Sequence, residues 1–329
     1  MAYQWYPGHM TKAKRMMQED VNLVDLVIEL TDARAPLSGR NPDIDELGKN
    51  KSRVILLNKA DMADERQNVS WETYFRGQGL FAAAVNSRTG AGMKRIQGVI
   101  LEACQEKMER DRKRGILNRP VRAMVAGIPN VGKSTFINSF AGKACAKTGN
   151  KPGVTRGKQW IRLNKNVELL DTPGILWPKI DDPQVGQRLA ALGSIRDEII
   201  QTEDLALWVL RFIQDNYQGF LTARYQIAEE ADAAVLLGEI ARVRGCIRTG
   251  NEPDYEKAAA LLLDDFRILI RLKYDNVKAL WIAKAVRQLF HNQIISILKS
   301  VIHRTPINHC PLADEMQNQP GCQNHKANI

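Results

Sequence analysis

The sequence predicts an α/β domain built on a mainly parallel sheet, followed by a small all-helical segment. Three observations predict it. Short apolar runs, the first two rich in branched residues and ending in polar ones, read as buried parallel strands. They are "LVDLVIEL" (23–30), "RVILLNKAD" (53–61), "LFAAAV" (80–85), "VRAMVA" (121–126) and "VELL" (167–170). Helix-like stretches alternate with these runs, the pattern of strand–helix–strand crossovers. After Pro183 the strand-like runs stop, and apolar residues recur only at helical spacing.

The individual elements follow from that pattern. Met93, Ile96, Ile100 and Ala103 share one face of a helix over 91–110, which the charged "KMERDRKRG" (107–115) is expected to end as it opens a linker. A further helix is expected from Lys133 to Phe140. Later, Leu205, Trp208, Val209 and Phe212 share a face, as do Leu236, Ile240 and Val243, and again Tyr255, Ala259, Leu262 and Phe266. The expected division is an α/β domain over 1–184, a helical domain over 185–267 and an atypical tail over 268–329 with no assigned role.

Composition bounds the class of function. The 329 residues suffice for one sizeable domain plus a smaller one. Apolar residues make up 44% and charged residues 26%, the balance of a soluble globular protein. No apolar run approaches the roughly 18 residues of a membrane span. The opening "MAYQWYPGHMTKAKRMM" has no apolar core of the secretory kind, so a cytoplasmic location is expected. The net charge of +10 favours a polyanionic partner, most simply nucleic acid. Cys104, Cys145, Cys246, Cys310 and Cys322 are scattered and form no CxxC pair, which reads as reduced thiols. His309, Cys310, Cys322 and His325 match the spacing of no common zinc site.

The chemistry is carried by loops between these elements. "GIPNVGKST" satisfies G-x-x-x-x-G-K-[ST] with Gly127, Gly132, Lys133 and Ser134, and lies between a strand and a helix, as its mechanism requires. Backbone N–H groups around Asn130, Val131, Gly132 and Thr135 would wrap phosphates at a helix N-terminus. Lys133 would contact the terminal phosphates, and Ser134 would ligate Mg²⁺. "LLDTPG" (169–174) supplies Asp171, to hold Mg²⁺ through water, and Gly174, to offer its N–H to the γ-phosphate at a switch loop. In "NKPGVTRG" (150–157), Thr155 is the natural second Mg²⁺ ligand.

"NKAD" at the end of the second strand is a guanine-reading motif. Asp61 can accept from N1–H and the 2-amino group, donors that adenine does not present there. Asn58 can bond the other edge of the purine, Lys59 packs along the base, and Ala60 completes the turn. Asn86 and Ser87 in "NSR" (86–88) form the short loop expected to contact the guanine carbonyl. The base-reading elements therefore precede the phosphate-binding ones, a circular permutation. Binding tolerates it, because the loops need only meet at one edge of the sheet.

"WYPGHMTKA" (5–13), "DARAP" (32–36), "NKAD" and "GIPNVGKST", in that order, resemble the circularly permuted YlqF/YawG-type GTPases over roughly residues 1–266. The resemblance implies a GTPase that assists late assembly of the large ribosomal subunit. It would bind pre-ribosomal RNA when loaded with GTP, leave on hydrolysis and be a monomer off the ribosome, with 185–266 as the RNA-contacting part. Signalling GTPases carry a water-orienting glutamine where this chain has Ile175, so slow intrinsic turnover is expected. The resemblance offers His9 as the substitute, whose imidazole can position or deprotonate water; a structural or RNA-contacting role for His9 stands beside it. Asn130 resembles the asparagine that recruits K⁺ in potassium-stimulated GTPases, and a plain loop asparagine is the alternative. Lys12, Lys14 and Arg15 are expected to meet phosphate backbone, while Lys107, Arg110, Arg112, Lys113 and Arg114 are as readily a solvated face. A nucleotide-gated RNA-binding checkpoint with negligible turnover is the second reading.

Overall fold

The computed structural model describes residues 8–63, 65–116, 119–142, 159–178, 180–195, 201–216 and 218–269. All fall in the first of two compact units, Met1–His291 and Asn292–Ile329. In the first half of the chain, helix α1 (Gly8–Asp20) leads through a 3-10 turn into β1 (Leu26–Asp32). Then come α2 (Pro42–Leu47), β2 (Ser52–Asn58), α3 (Glu65–Gly77), β3 (Phe81–Ala84), α4 (Met93–Ala103) and α5 (Gln105–Lys113). The second half opens with β4 (Val121–Gly127), α6 (Lys133–Ala141), β5 (Gln159–Arg162) and β6 (Val167–Asp171). Helices α7 (Pro183–Ala191), α8 (Thr202–Asn216), α9 (Phe220–Tyr225), α10 (Ala233–Val243) and α11 (Tyr255–Leu269) complete it. Among the described residues no helix is long and apolar enough to cross a membrane.

The six strands lie in the order β3-β2-β1-β4-β6-β5, all parallel except β5, which runs antiparallel to β6. The two halves of the chain join where β1 pairs with β4, from Leu26↔Ala123 to Leu30↔Gly127. Taken from β4 onward and then back to β1, this is the order of a phosphate-loop GTPase sheet, so the permutation is visible in the topology.

Alternation along β1 sorts the core onto two faces. Leu26, Ile28 and Leu30 face a large apolar cluster that runs through Ile96 and Ile100 of α4 and Phe136 of α6, and on to Leu205, Val209, Ile240, Leu262 and Phe266. Val27 faces a smaller one, built with Ala13 and Met17 of α1, Ile44 of α2, Met124, Ala126, Leu170 and Ile175. Helix starts are set by side-chain caps followed by proline: Asn41 accepts from the Asp43 N–H before α2, and Asp182 from the Gln184 N–H before α7.

Several expectations are corrected. The helix read over 91–110 divides at Cys104, whose φ and ψ of −105° and 7° leave the helical range. The charged stretch after it is not a linker but α5, docked on the sheet by Lys107, which pairs with Asp25 at 3.4 Å and Asp111 at 2.5 Å. Val243, placed on a buried face by its spacing, is 55% exposed because α10 ends there. Helices α1, α2 and α3 and the edge strand β5 go beyond the elements the sequence predicts. Cys104 and Cys246 are buried free thiols, and burial raises the Cys104 thiol to about 11.

One carboxylate ties α9 and the end of α10 to α11. Asp265 of α11 accepts from Arg224 (2.8 and 2.9 Å), the Tyr225 hydroxyl (3.1 Å) and Arg244 (3.5 Å). Burial and the facing carboxylate push the Tyr225 hydroxyl above its usual range. Replacing Asp265 by Ala leaves these donors without their acceptor. Urea denaturation is expected to show a loss of about 2–3 kcal/mol, with GDP affinity retained.

Candidate nucleotide-binding site

The loops after β1, β2, β3, β4 and β6 leave the carboxyl ends of parallel strands, where ligands of open α/β sheets bind. Register brings them together: Asp32 lies beside Asn58, Leu57 beside Ala84, Leu30 beside Gly127 and Val125 beside Asp171. Backbone bonds stitch the strand ends, from Ala33 N–H to the Asn58 carbonyl (2.8 Å) and from Ala60 N–H to the Val85 carbonyl (3.0 Å).

The phosphate loop turns from β4 into α6 through Asn130 and Gly132, both at positive φ (59° and 95°). A Cβ on Gly132 would fall 2.5 Å from Asn58 Nδ2, so only glycine lets the loop close onto the base-reading segment. Lys133 is buried and donates to the carbonyls of Gly127 (3.2 Å) and Ile128 (3.3 Å). Burial lowers its ammonium from 10.5 to about 8, against the opposing pull of Asp171. The site thus holds a desolvated cation where phosphates would restore its charge. Ser134 and Thr135 are half-buried in the first turn of α6, and Val131 is buried beneath the loop.

Asn58 is a staple between loops. Its Oδ1 accepts from the Ser87 N–H at 3.1 Å, and its Nδ2 donates to the Val131 carbonyl at 2.7 Å. An amide nitrogen carries two hydrogens, so the second is what it can still offer a purine. Lys59 adopts the left-handed conformation (φ 57°) and sends Nζ to Asp32 Oδ2 and to the Asn130 carbonyl, each at 3.0 Å. That reversal opens the 3-10 turn Ala60–Met62, which carries Asp61, half-buried. Asn86 closes the neighbouring loop, its Oδ1 accepting from the N–H groups of Arg88 (2.9 Å) and Thr89 (3.1 Å). The residues expected to read guanine therefore stand together, tied directly to the phosphate loop.

On the switch side, a Cβ on Gly174 would lie 2.8 Å from Lys133 Nζ and 3.0 Å from Pro129 Cα, so this glycine sits against the phosphate loop. Ile175 is buried in the smaller core cluster, its N–H toward the Gly127 carbonyl (3.4 Å) and its carbonyl accepting from Asn41 Nδ2 (3.3 Å). Asp171 is buried where β6 ends beside β4. The hydroxyl of Ser134 and this carboxylate are hard oxygen donors that suit Mg²⁺. Among the described residues no group of three His, Cys, Asp or Glu side chains could hold a metal alone. An ion held by Ser134 and Asp171 would take its remaining ligands from phosphates and water. Thr155 lies outside the described residues; His9 lies in the first turn of α1, and its side chain is outside them too. Asn130, the K⁺ candidate, donates its amide to the Gly193 carbonyl at 2.5 Å, just beyond α7. Of the basic residues expected at RNA, Lys14 pairs with Asp43 at 2.7 Å and Arg15 with Glu19 at 3.8 Å, while Lys12 is exposed.

Sequence reading passed over residues that hold this edge in place. Asp32 and Arg34 belong to "DARAP", where no local pattern marks their role. Glu29, a carboxylate in the middle of an apolar strand, is buried and raised by that burial against the pull of Arg40 and Arg53. It accepts from the Asn41 N–H at 3.2 Å, fixing the residue that holds Ile175. The signal available was the charge itself, a glutamate interrupting "LVIELTD" where only apolar residues belong.

The family model described as 50S ribosome-binding GTPase (MMR_HSR1) matches residues 122–238, from the phosphate loop onward, and leaves the base-reading half upstream of the match. Ribosome biogenesis GTPase A of Bacillus licheniformis is 47% identical over 268 residues, covering 81% of this chain and 95% of that protein. The chain belongs to the ribosome biogenesis GTPase A family. Ribosome biogenesis GTPase A of Priestia megaterium is similar at 48% identity over 269 residues, covering 81% of this chain and 93% of the other. The fold is similar to that of GNP-bound YlqF from T. maritima, with a TM-score of 0.57 at 29% identity over 78% of this chain and 93% of that one. As a member of the family, the chain is a GTPase.

Two outcomes follow from the site. Gly132→Ala forces Asn58 off Val131 and is expected to weaken GDP binding about 100-fold in calorimetry, from the loss of two or so buried hydrogen bonds. Lys133 sits low, at about 8, in the ligand-free protein, and bound phosphate would raise it. Binding must then take up protons, and affinity must fall as pH rises through about 8. Titrations at pH 8.5 in two buffers of different ionisation enthalpy should give different apparent enthalpies, with the sign of proton uptake.

Proposed function

We propose that this GTPase assists assembly of the large ribosomal subunit, binding pre-ribosomal RNA in its GTP state and leaving once GTP is hydrolysed. The observation that supports the nucleotide-binding part of the reading is the bond from Asn58 to Val131, which joins the segment expected to read the base to the phosphate loop. Asn58, Lys59, Ala60, Asp61, Asn86 and Ser87 would hold guanine. The loop from Asn130 to Thr135, with Gly174, would hold the phosphates. Ser134, Asp171 and Thr155 would hold Mg²⁺, which neutralises charge on the phosphates when bound. Asn130 would serve K⁺ by turning from Gly193, and the helices after residue 185 would meet RNA. The protein would act in the cytoplasm, as a monomer away from the ribosome.

Ile175 shapes the chemistry. Its side chain is core, so no group at that position orients water, and His9 at the start of α1 is the residue proposed for that task. The same observation favours a second reading, a nucleotide-gated RNA-binding checkpoint with negligible turnover. Turnover of GTP in K⁺ buffer with Mg²⁺, with and without purified large subunits, separates the two. Subunits are expected to stimulate turnover, and His9→Ala to lower the stimulated rate about 100-fold, the size of a general-base contribution. Tight GTP-dependent binding without stimulation would establish the checkpoint and remove His9 from catalysis.

A further inference from the structure

Beside the base-reading turn lies a charged assembly that the GTPase motifs do not account for. Arg34 is 4% exposed and Asp32 2% exposed, so both charges have left water. The Arg34 backbone N–H and Nε reach Asp32 Oδ1 at 3.1 and 2.7 Å, and Nη2 reaches Oδ2 at 2.5 Å. The same Oδ2 takes Lys59 Nζ at 3.0 Å, and Nζ also reaches the Asn130 carbonyl at 3.0 Å. A line of bonds thus runs from the loop after β1, across the end of β2, to the phosphate loop. Burial alone would raise the Asp32 carboxyl, but Arg34 and Lys59 hold it well below the usual carboxylate range, so it is a permanent anion.

A buried ion pair is a poor route to stability, since apolar side chains of the same volume often serve as well. What this one does is geometric. Lys59 is in the left-handed conformation, a costly state for a residue with a side chain, and it stands two residues before Asp61. With its backbone reversed and its ammonium pinned on Asp32 and Asn130, the direction of the turn is set.

We propose that Asp32 and Arg34 are positioning residues for guanine specificity, fixing Lys59 and thereby the direction in which Asp61 meets the 2-amino edge of the base. Arg34 keeps Asp32 oriented, Asp32 aims Lys59, and Lys59 aims the turn. The proposal rests on the guanine-reading role of Asn58-Lys59-Ala60-Asp61.

The test compares GDP with IDP, which lacks the 2-amino group, by calorimetry on the full chain. The wild type should prefer GDP by about 10- to 100-fold, the worth of a buried charge-assisted hydrogen bond. In Asp32→Asn and Arg34→Met that ratio should fall to within about threefold of unity, with Arg34→Lys between. Asp61→Asn, measured alongside, should move preference from GDP to XDP. If Asp61→Asn leaves the preference for GDP intact, the underlying base-loop assignment fails. If Asp61→Asn switches as expected but Asp32→Asn and Arg34→Met weaken GDP and IDP in parallel, the pair is merely structural and the proposal is overturned. Should Asp32→Asn lose its cooperative thermal transition, the ratio in Arg34→Lys decides.

Discussion

Everything at the nucleotide edge depends on the parallel pairing of β1 with β4. It joins the two halves, and the Leu30↔Gly127 register sets the end of β1 against the start of the phosphate loop. A slip of one residue would exchange the faces of β1, exposing Leu26, Ile28 and Leu30 to the wrong layer. It would also part Asn58 from Val131. The apolar alternation that protects the core therefore protects the site.

The edge concentrates strained backbone and desolvated charge. Lys59 and Asn130 have positive φ, Lys133 is a desolvated cation, and Asp32 and Arg34 are a desolvated pair. Such conformations and charges persist only where neighbours over-determine them. Here the neighbours are strand ends whose backbone groups are already bonded, so the strain is set on a rigid platform. The switch side is built differently. Ile175 is anchored through Asn41 and buried with Ala13 and Met17 of α1. Displacement of Gly174 would thus be felt by the helix that carries His9. On the other side, Asn130 touches the end of α7, and Arg267 of α11 donates to the Ala190 carbonyl there at 2.8 Å. The phosphate loop is in this way one hydrogen bond from the helices proposed to meet RNA.

Much of this was legible in the sequence, for identifiable reasons. The five parallel strands announced themselves because burial on both faces leaves short, nearly continuous apolar runs, and "GIPNVGKST" because phosphate wrapping demands glycines at fixed spacing. The edge strand β5 did not, since Trp160 and Arg162 are exposed and one short strand with a single buried residue, Ile161, has no periodicity to read. The two-helix form of 91–113 was hidden because the hydrogen bonding barely changes at Cys104, whose N–H still reaches the Ile100 carbonyl at 3.1 Å. The roles of Asp32, Arg34, Glu29 and Asn41 were hidden for another reason. Asp32 meets Lys59 27 residues on, Glu29 meets Arg53 24 residues on and Asn41 meets Ile175 134 residues on, and no local pattern encodes such partners.

The central claim is that the base-reading loops of the first half and the phosphate loop of the second form one site. Amide hydrogen exchange of the full chain, with and without GDP and Mg²⁺, tests it most directly. The account predicts that the ligand slows exchange together at residues 58–62, 86–90 and 127–135. Protection confined to 127–135, with the first two segments unchanged, would contradict it.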